Sequence, residues 1–372
     1  MTPGILQFGT GRLLQAHADL MIGEALARGE AVGPIAAVQT TGSEAAKRRA
    51  AALAAGGGFP VRIRGLENGS PVDREVRVTS VVAAYGAAED WDEIEALVRG
   101  PITTILSNTA DRGYELDPSD RASDRVPRSF PAKLLKLLQA RWRSGGSPPQ
   151  IFPLELVSNN GEVLKGIVTG LATDWGLEPE FRRWLGEDCF WASSLIDRIV
   201  SESLDPVGAV AEPYALWAIQ DQPGLQPPCQ HADVMVTPDL TRYERLKLFI
   251  LNLGHTWLAE RWLIEHRPRD LTVRVALEDP ALSAGLDALY DEEVLPVLAA
   301  LGLGVEASAY RTTTLGRFKN PYLVHRLADI AQNHAAKKAR RMAPVVGYAE
   351  QLLPGLRQPK LREALASTAG LG

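Results

Sequence analysis

Short apolar segments alternate with longer segments of helical periodicity in the first part of the chain. The first of them, Ile5-Leu6-Gln7-Phe8, runs directly into Gly9-Thr10-Gly11, and leucines and alanines with helical spacing follow. This order predicts a strand, a glycine turn and a helix. Such alternation is typical of an α/β domain built on a sheet. Further strands are predicted at residues 35–39, 61–64, 76–82, 103–106 and 151–154, and helices at residues 91–99 and 132–142.

The pattern changes after residue 240, where most segments have helical periodicity. A proline-rich segment at residues 222–228 and the dipeptide Thr237-Pro238 precede the change. We therefore predict two domains, an α/β domain at residues 1–238 and a mainly α-helical domain at residues 239–372. The predicted helices of the second domain cover residues 243–266, 280–301, 322–341 and 361–366.

The composition is that of an ordinary globular protein and excludes several classes of function. Apolar residues make up 45% of the 372 positions and charged residues 23%. The 40 basic and 45 acidic residues give a net charge of −5, so no overall positive field would attract nucleic acid or an anionic membrane. The two cysteines, Cys189 and Cys229, exclude a disulfide framework and an iron–sulfur cluster. No signal peptide or membrane-spanning apolar run is visible, so a cytoplasmic location is expected.

The six histidines do not form a metal-binding pattern. No His-Glu-x-x-His motif occurs, and no pair of histidines four residues apart has a third ligand nearby. No metal cofactor is therefore expected. A serine hydrolase is also excluded, since the chain has no Gly-x-Ser-x-Gly motif.

The glycine turn after the first strand is a candidate dinucleotide site. Gly9 would allow a tight turn, and Gly11 would let the backbone approach a pyrophosphate at a helix N-terminus. The third glycine of the usual fingerprint is replaced by Leu14. The motif therefore also fits a strand-to-helix turn that needs glycine for its geometry alone.

The end of the second predicted strand bears on the choice of coenzyme. It reads Gln39-Thr40-Thr41 and lacks the acidic residue that would bind a ribose 2′-hydroxyl. Lys47, Arg48 and Arg49 follow, and they suit either a 2′-phosphate or the solvated face of a helix. The residues themselves leave NAD and NADP open.

The segment from Tyr243 to His255 carries the most informative polar side chains. At about 100° per residue, Glu244, Lys247, Asn252 and His255 lie on one side of an otherwise apolar helix. Burying such groups together is costly without partners, so they are more plausible in a cleft than in a core. A lysine of lowered pKa, an asparagine amide and a histidine are the groups that hydride transfer to a carbonyl requires. The same pattern also fits an amphipathic helix with solvated charges.

Lys247, Asn252 and His255 match the Lys-x4-Asn-x2-His signature of the polyol-specific long-chain dehydrogenases, also called the mannitol dehydrogenase family. The chain resembles this family, which implies a Rossmann-like N-terminal domain followed by a mainly helical one. The resemblance also implies roles for the residues of the helix. Lys247 would be the general acid/base, Asn252 an oxyanion donor, His255 a substrate ligand and Glu244 part of a proton relay.

The resemblance extends, in order, along nearly the whole chain. Matching segments include Ser107-Asn108-Thr109, Glu212-Pro213-Tyr214 and Arg317-Phe318. It implies that an NAD coenzyme, with NADP not excluded, contacts the glycine turn and its neighbours, namely Phe8, Gly9, Gly11, Gln39 and Asn108. It implies that a sugar substrate contacts residues of both domains, namely Glu155, Asn159, Asn160, Arg317, Asn320 and His325.

One position discriminates between branches of the family. Glu155-Leu156 stands where mannitol and fructuronate enzymes have Asp-Asn, and it resembles the tagaturonate reductase (altronate oxidoreductase) branch. Leu156 cannot donate the second hydrogen bond that the asparagine of those relatives supplies. Asn159 and Asn160 are the candidates to replace it.

A uronate substrate carries a carboxylate, so its pocket needs a cation. Arg317 is the first candidate. The basic run of Lys337, Lys338, Arg340 and Arg341 offers others, although a solvated helix face is the interpretation that we favour for the run.

The resemblance thus implies an NAD(P)-dependent oxidoreductase that interconverts tagaturonate and altronate. Its partner would be a small sugar acid or polyol, with no nucleic acid or membrane. One alternative is a polyol dehydrogenase of the mannitol or arabinitol type, or a mannonate (fructuronate) oxidoreductase. Another is a relative that binds coenzyme or sugar acid without catalysis.

Overall fold

The computed structural model describes residues 2–67, 69–109 and 113–368. The chain divides into two compact units. The first contains residues 1–63, 74–211 and 215–240, and the second contains residues 64–73, 212–214 and 241–372. The structure describes no helix that is long and apolar enough to cross a membrane.

The first unit is built on a parallel sheet of six strands. The strand order is β5-β2-β1-β6-β7-β8, and every neighbouring pair is parallel. Nearly continuous apolar strands are typical of a parallel sheet that is covered on both faces. The strands are β1 (Ile5–Phe8), β2 (Ile35–Gln39), β5 (Val81–Gly86), β6 (Thr104–Ser107), β7 (Gln150–Pro153) and β8 (Phe190–Trp191).

Helices cover the sheet and enclose two apolar cores. Along β1, Ile5 packs into one core while Leu6 and Phe8 pack into the other, because successive strand residues point to opposite faces. The helical segments of this unit are α1 (Arg12–Gln15), α2 (Ala18–Ala27), α3 (Glu44–Ala54), α4 (Trp91–Arg99), α5 (Phe130–Arg143), α6 (Asn160–Asp174), α7 (Pro179–Arg183) and the π-helix π1 (Trp184–Asp188).

Two smaller sheets accompany the main one. The sequence predicts one strand at residues 76–82, but the structure has two, in different sheets, separated by Thr79 and Ser80. The apolar pattern could not reveal this break, since both strands are rich in valine. The first small sheet has β10 (Val200–Ser203), β11 (Ala209–Ala211), β3 (Phe59–Glu67) and β4 (Ser70–Val78), and the second has β13 (Val234–Thr237), β12 (Leu216–Gln220) and β9 (Ser194–Asp197).

The second unit is mainly helical and has its own apolar core. The predicted order of an α/β domain and a mainly helical domain is therefore confirmed. Its elements are α8 (Leu240–Leu246), π2 (Lys247–Asn252), α9 (Leu253–Ile264), α10 (Val273–Ala276), α11 (Pro280–Ala288), π3 (Leu289–Val294), α12 (Leu295–Ala300), α13 (Gly304–Phe318), α14 (Leu327–Ile330), α15 (His334–Arg341), α16 (Ala343–Leu352) and α17 (Pro359–Ala366).

The single division at residue 238 leaves two segments of the second unit in the first domain. Residues 64–73 and 212–214 group with the helical unit. Their contacts explain this, since the Arg64 carbonyl accepts a hydrogen bond from Asn320 and the Glu212 carboxylate pairs with Arg317. These partners lie more than a hundred residues away along the chain.

Asp19, in the first turn of α2, makes the stability of the first unit depend on pH. Burial raises the pKa of Asp19 to about 7, although a hydrogen bond from Gln7 opposes the shift. Between pH 4 and pH 7 the folded protein therefore holds a proton that the unfolded chain releases. The free energy of unfolding should therefore fall as the pH rises through this range. The total decrease that Asp19 causes is on the order of 4 kcal/mol.

Asp19→Asn should remove this component and make the protein more stable than the wild type at pH 8. Denaturant titrations of both proteins at pH 5 and pH 8 would measure it. Asp174→Asn, at an exposed position, serves as the control. Equal pH dependence in the wild type and Asp19→Asn would contradict the interpretation.

Candidate functional site

The turn after β1 requires glycine at its first position. Gly9 has a φ of +113°, and a Cβ there would lie 2.5 Å from the Asn108 carbonyl oxygen. Gly11 precedes α1, and no atom lies within 4 Å of the place that its Cβ would fill. The backbone at Gly11 is therefore open to a close-fitting ligand.

The topology gives this turn a special position. β1 pairs with β2 on one side and with β6 on the other, so the strand order reverses here. In open α/β sheets, ligands bind at the carboxyl ends of the strands at this kind of switch point. Gly9 follows β1, and Asn108 follows β6, where its side chain donates to the Leu154 carbonyl at 2.7 Å.

A cavity of about 400 Å³ lies at the carboxyl ends of β2 and β5. Gln39, Lys47 and the acidic residues Glu89 and Asp90 are among the residues that line it. The Gln39 side chain accepts a hydrogen bond from Thr10 and donates one to the Thr41 hydroxyl at 2.7 Å. Gln39 therefore connects the glycine turn to the wall of the cavity.

Phe8 does not present its side chain to a coenzyme. The ring is fully buried and packs against Phe130, with 5.0 Å between the ring centroids. Only its backbone is at the turn, where the carbonyl accepts a hydrogen bond from Asn108. The ring thus has a core role, and the coenzyme contact predicted for Phe8 would have to be made by its backbone.

In the second unit, Lys247 and Asn252 are the first and last residues of π2, and both are half-buried. The π turn changes the uniform angular spacing that the sequence pattern assumes, because it has more residues per turn than an α-helix. His255 follows in α9 and is buried, and Glu244 precedes in α8 and is half-buried. Among the described residues, the Asn252 side-chain amide has no hydrogen-bond partner.

Tyr290 stabilises the π turn from a neighbouring helix. Its buried hydroxyl donates to the Ile250 carbonyl at 2.8 Å. Gly254 leaves the necessary room, since a Cβ there would lie 1.9 Å from the Tyr290 hydroxyl. These two residues therefore support the segment that carries Lys247 and Asn252.

His255 and His325 come together. Their ring centroids are 4.6 Å apart, and the His255 ring also packs on Phe318. Burial lowers the pKa of His255 far below its ordinary value, and that of His325 to a lesser extent, so both rings are neutral near pH 7. The His255 Nε2 atom is buried without a hydrogen-bond partner.

Arg317, the predicted carboxylate ligand, is already paired. Its guanidinium makes a two-pronged contact with Glu212, with an Nη2–Oε1 distance of 2.8 Å and Nε distances of 3.1 Å to both oxygens. The guanidinium also lies over the Tyr214 ring at 4.3 Å from the centroid. The guanidinium therefore already has a buried carboxylate partner, and the substrate contact of Arg317 stays a prediction.

Two other predicted substrate ligands, Asn320 and Asn160, are engaged within their own units. Asn320 donates to the Arg64 carbonyl and accepts from the Tyr322 amide. Asn160 is fully buried and donates to three carbonyl oxygens, those of Pro153, Glu155 and Ser194. The Asn160 amide is thus saturated and has no donor left for a substrate, whereas Asn320 uses one of its two N–H donors.

Glu155 is buried, and its carboxylate accepts hydrogen bonds from Ser107, Thr109 and Tyr114. Burial raises the pKa of Glu155 despite these donors. Asn159 remains exposed at the N-terminus of α6, with a φ of +52°. Of the two asparagines proposed to replace the missing donor, only Asn159 is therefore open.

Within the described ranges, no group of three histidine, cysteine or acidic side chains is arranged to hold a metal ion.

Comparison with known families assigns both parts of the chain. The mannitol dehydrogenase Rossmann domain matches residues 3–228, and the mannitol dehydrogenase C-terminal domain matches residues 239–369. The chain belongs to the mannitol dehydrogenase family. It is thus an oxidoreductase that acts on CH–OH groups.

Relatives of this mannitol dehydrogenase family member include two altronate oxidoreductases. That of Bacillus subtilis is 33% identical over 371 residues, which cover 93% of this chain and 75% of the relative. That of Yersinia enterocolitica is 30% identical, and the matched residues cover 98% of this chain and 78% of the relative. A solved structure of Pseudomonas fluorescens mannitol 2-dehydrogenase, in a ternary complex with NAD and D-mannitol, has the same fold with a TM-score of 0.78. Its sequence is 19% identical, and the superposition covers 98% of this chain and 78% of that structure.

In this family member, the sequence interpretation of the basic run on α15 needs correction. Only Arg340 lies on a solvated face. Lys338 is buried and bonds to the Ala364 and Ser367 carbonyls, and Lys337 and Arg341 are half-buried. The sequence signal for a shared position of Lys337 and Arg341 was their spacing of four residues, which places both side chains on one face of a helix.

Proposed function

We propose that this chain catalyses reversible hydride transfer between NAD(H) and a sugar acid, with tagaturonate and altronate as the substrate pair. The observation that carries the proposal is the helix from Glu244 to His255. It presents a lysine, a free amide and a neutral histidine in a member of the mannitol dehydrogenase family. The relatives that are named altronate oxidoreductase support the choice of substrate.

The first unit fits a dinucleotide. The open backbone at Gly11 and the switch point beside Gly9 suit a pyrophosphate, and the cavity next to Gln39 suits the adenosine end. A bound nicotinamide coenzyme would supply or accept the hydride. The residues of this unit would bind and orient it.

The second unit would supply the proton chemistry. In the reducing direction, Lys247 would donate a proton to the keto oxygen as the carbon accepts hydride, and in oxidation it would take the proton from the hydroxyl. The Asn252 amide would donate a hydrogen bond to that oxygen and stabilise its developing negative charge. Neutral His255 would hold a neighbouring substrate hydroxyl, and Glu244 would exchange the lysine proton with solvent.

The lining of the cavity favours NAD over NADP. Glu89 and Asp90 line it, and of the run Lys47, Arg48 and Arg49 only Lys47 does. Carboxylates accept hydrogen bonds from ribose hydroxyls and repel a 2′-phosphate. Lys47, moreover, is exposed and lies 4.0 Å from the Glu44 carboxylate.

A substrate panel tests the proposal. The purified protein should oxidise NADH in the presence of tagaturonate, which the absorbance of NADH measures. The kcat/KM for NADH should be at least 10-fold higher than the kcat/KM for NADPH. The panel includes fructuronate, fructose and D-tagatose. The last carries a hydroxymethyl group in place of the carboxylate and therefore controls for charge.

Activity on fructose or oxidation of mannitol or arabinitol, without activity on any keto-uronate, would replace the proposal with a polyol dehydrogenase. Preferred reduction of fructuronate would select the mannonate branch. Binding of NADH without turnover of any compound would indicate a non-catalytic relative.

A further inference from the structure

Helix α15 contacts the helix that carries the proposed catalytic residues, and two of its basic side chains, Arg341 and Lys337, are half-buried. The Arg341 guanidinium donates from Nη1 to the Thr256 hydroxyl at 2.9 Å and lies 3.4 Å from the Asn252 carbonyl. Lys337, one turn earlier, donates from Nζ to the Ile330 carbonyl at 2.7 Å. All of these residues belong to the second unit.

Neither cation has a carboxylate partner among the described residues. Lys338 on the same helix differs in this respect, since it lies 3.2 Å from the buried Glu260 carboxylate. Arg341 has further N–H donors that bond to no described residue, because only its Nη1 atom makes hydrogen bonds. The pair therefore leaves two positive charges uncompensated at a half-buried place.

This arrangement is unfavourable without a ligand. Like charges four residues apart on a helix repel each other, and burial removes the water that would screen them. Burial lowers the pKa of Arg341 to about 10 and also lowers that of Lys337, with repulsion between the two as a second cause for Lys337. A bound anion would remove both costs.

The surroundings indicate where such an anion would be. Positive charge from Arg317, Arg341 and Lys337, in decreasing order of effect, acts on His255, whose buried Nε2 atom lacks a partner. Lys337 also acts on His325, which packs against His255. The two cations therefore lie near the residues of α9 that the proposed function places at the substrate. Arg317 is less suitable because Glu212 neutralises it.

We propose that Arg341 and Lys337 bind the carboxylate of the substrate and thereby select a sugar acid over a neutral ketose or polyol. This inference rests on the proposed function. The planar guanidinium suits two-pronged binding of a carboxylate, and the flexible lysine adds a second charge. The predicted cation for the carboxylate is thereby moved from Arg317 to α15.

The test compares Arg341→Gln and Lys337→Gln with the wild type. For tagaturonate, KM should rise roughly 10- to 100-fold in Arg341→Gln and to a smaller extent in Lys337→Gln, since a charge-assisted hydrogen bond is lost. For D-tagatose, KM should stay within about 2-fold. Arg341→Lys should retain more affinity for tagaturonate than Arg341→Gln, and Arg340→Gln, on the exposed face of the same helix, should behave as the wild type.

Calorimetric binding of altronate keeps the inference separate from the proposed catalysis. If the wild type binds altronate and Arg341→Gln does not, the anion site is supported even when tagaturonate is not reduced. Thermal unfolding identifies any variant that fails to fold. If Arg341→Gln fails to fold, the KM values and altronate affinities of Arg341→Lys and Lys337→Gln test the anion site instead. An unchanged KM and altronate affinity in Arg341→Gln, an equal loss with tagaturonate and D-tagatose, or no altronate binding by the wild type would overturn the inference.

Discussion

Replacing Lys247 with alanine is expected to lower kcat by roughly 100-fold or more while leaving NADH binding unchanged. The reason is that the alanine variant loses the proposed general acid/base, which is the one titratable side chain of π2. Asn252 would still polarise that oxygen, so residual activity should remain. Steady-state kinetics and a fluorescence titration with NADH would measure the two quantities separately.

Lys319→Ala provides the matched control, because Lys319 is an exposed lysine of the same unit just after α13. It should retain the activity of the wild type. If Lys247→Ala turns over substrate at the wild-type rate, Lys247 is not the general acid/base. A parallel loss of NADH affinity would indicate instead that the lysine has a structural role.

Arg317→Met is expected to lower the free energy of unfolding by about 3–5 kcal/mol. Glu212 and Arg317 are 1% and 6% exposed, so removal of the guanidinium leaves a buried carboxylate without its partner. The second change Glu212→Gln should restore part of the loss, because it removes the uncompensated charge. Denaturant titration of both single variants and the double variant forms the cycle that measures the coupling.

The exposed pair of Arg362 and Glu350 is the control for this cycle. Arg362→Met should cost less than about 1 kcal/mol, since both side chains are more than half exposed. A stable Arg317→Met variant with a raised KM for tagaturonate would contradict the structural role. That result would indicate that Arg317 binds the carboxylate of the substrate.

Local signals accounted for much of the first unit and for the helix with the proposed catalytic residues. The apolar segment before Gly9 predicted β1 at the residues where the structure has it. The helix predicted at residues 91–99 coincides with α4. These predictions succeeded because strand and helix periodicity depend on neighbours in sequence.

The side-chain roles were harder to predict. Asn160 and Asn320 resemble ligands in sequence, yet each bonds to carbonyls of distant segments. Arg341 resembles a surface residue, yet it bonds to Thr256 on α9. A motif shows which side chain is present but not which partner it meets.

The order of the elements, the glycine turn and the spacing of Lys247, Asn252 and His255 could be read from the sequence, because they depend on local periodicity and on residue type. The charge partners of the predicted carboxylate ligands became visible only in the folded chain. It pairs Arg317 with Glu212 from a segment 105 residues away, and it leaves Lys337 and Arg341 without a described carboxylate. Charge compensation depends on distances in space, and the folding of the chain sets these distances.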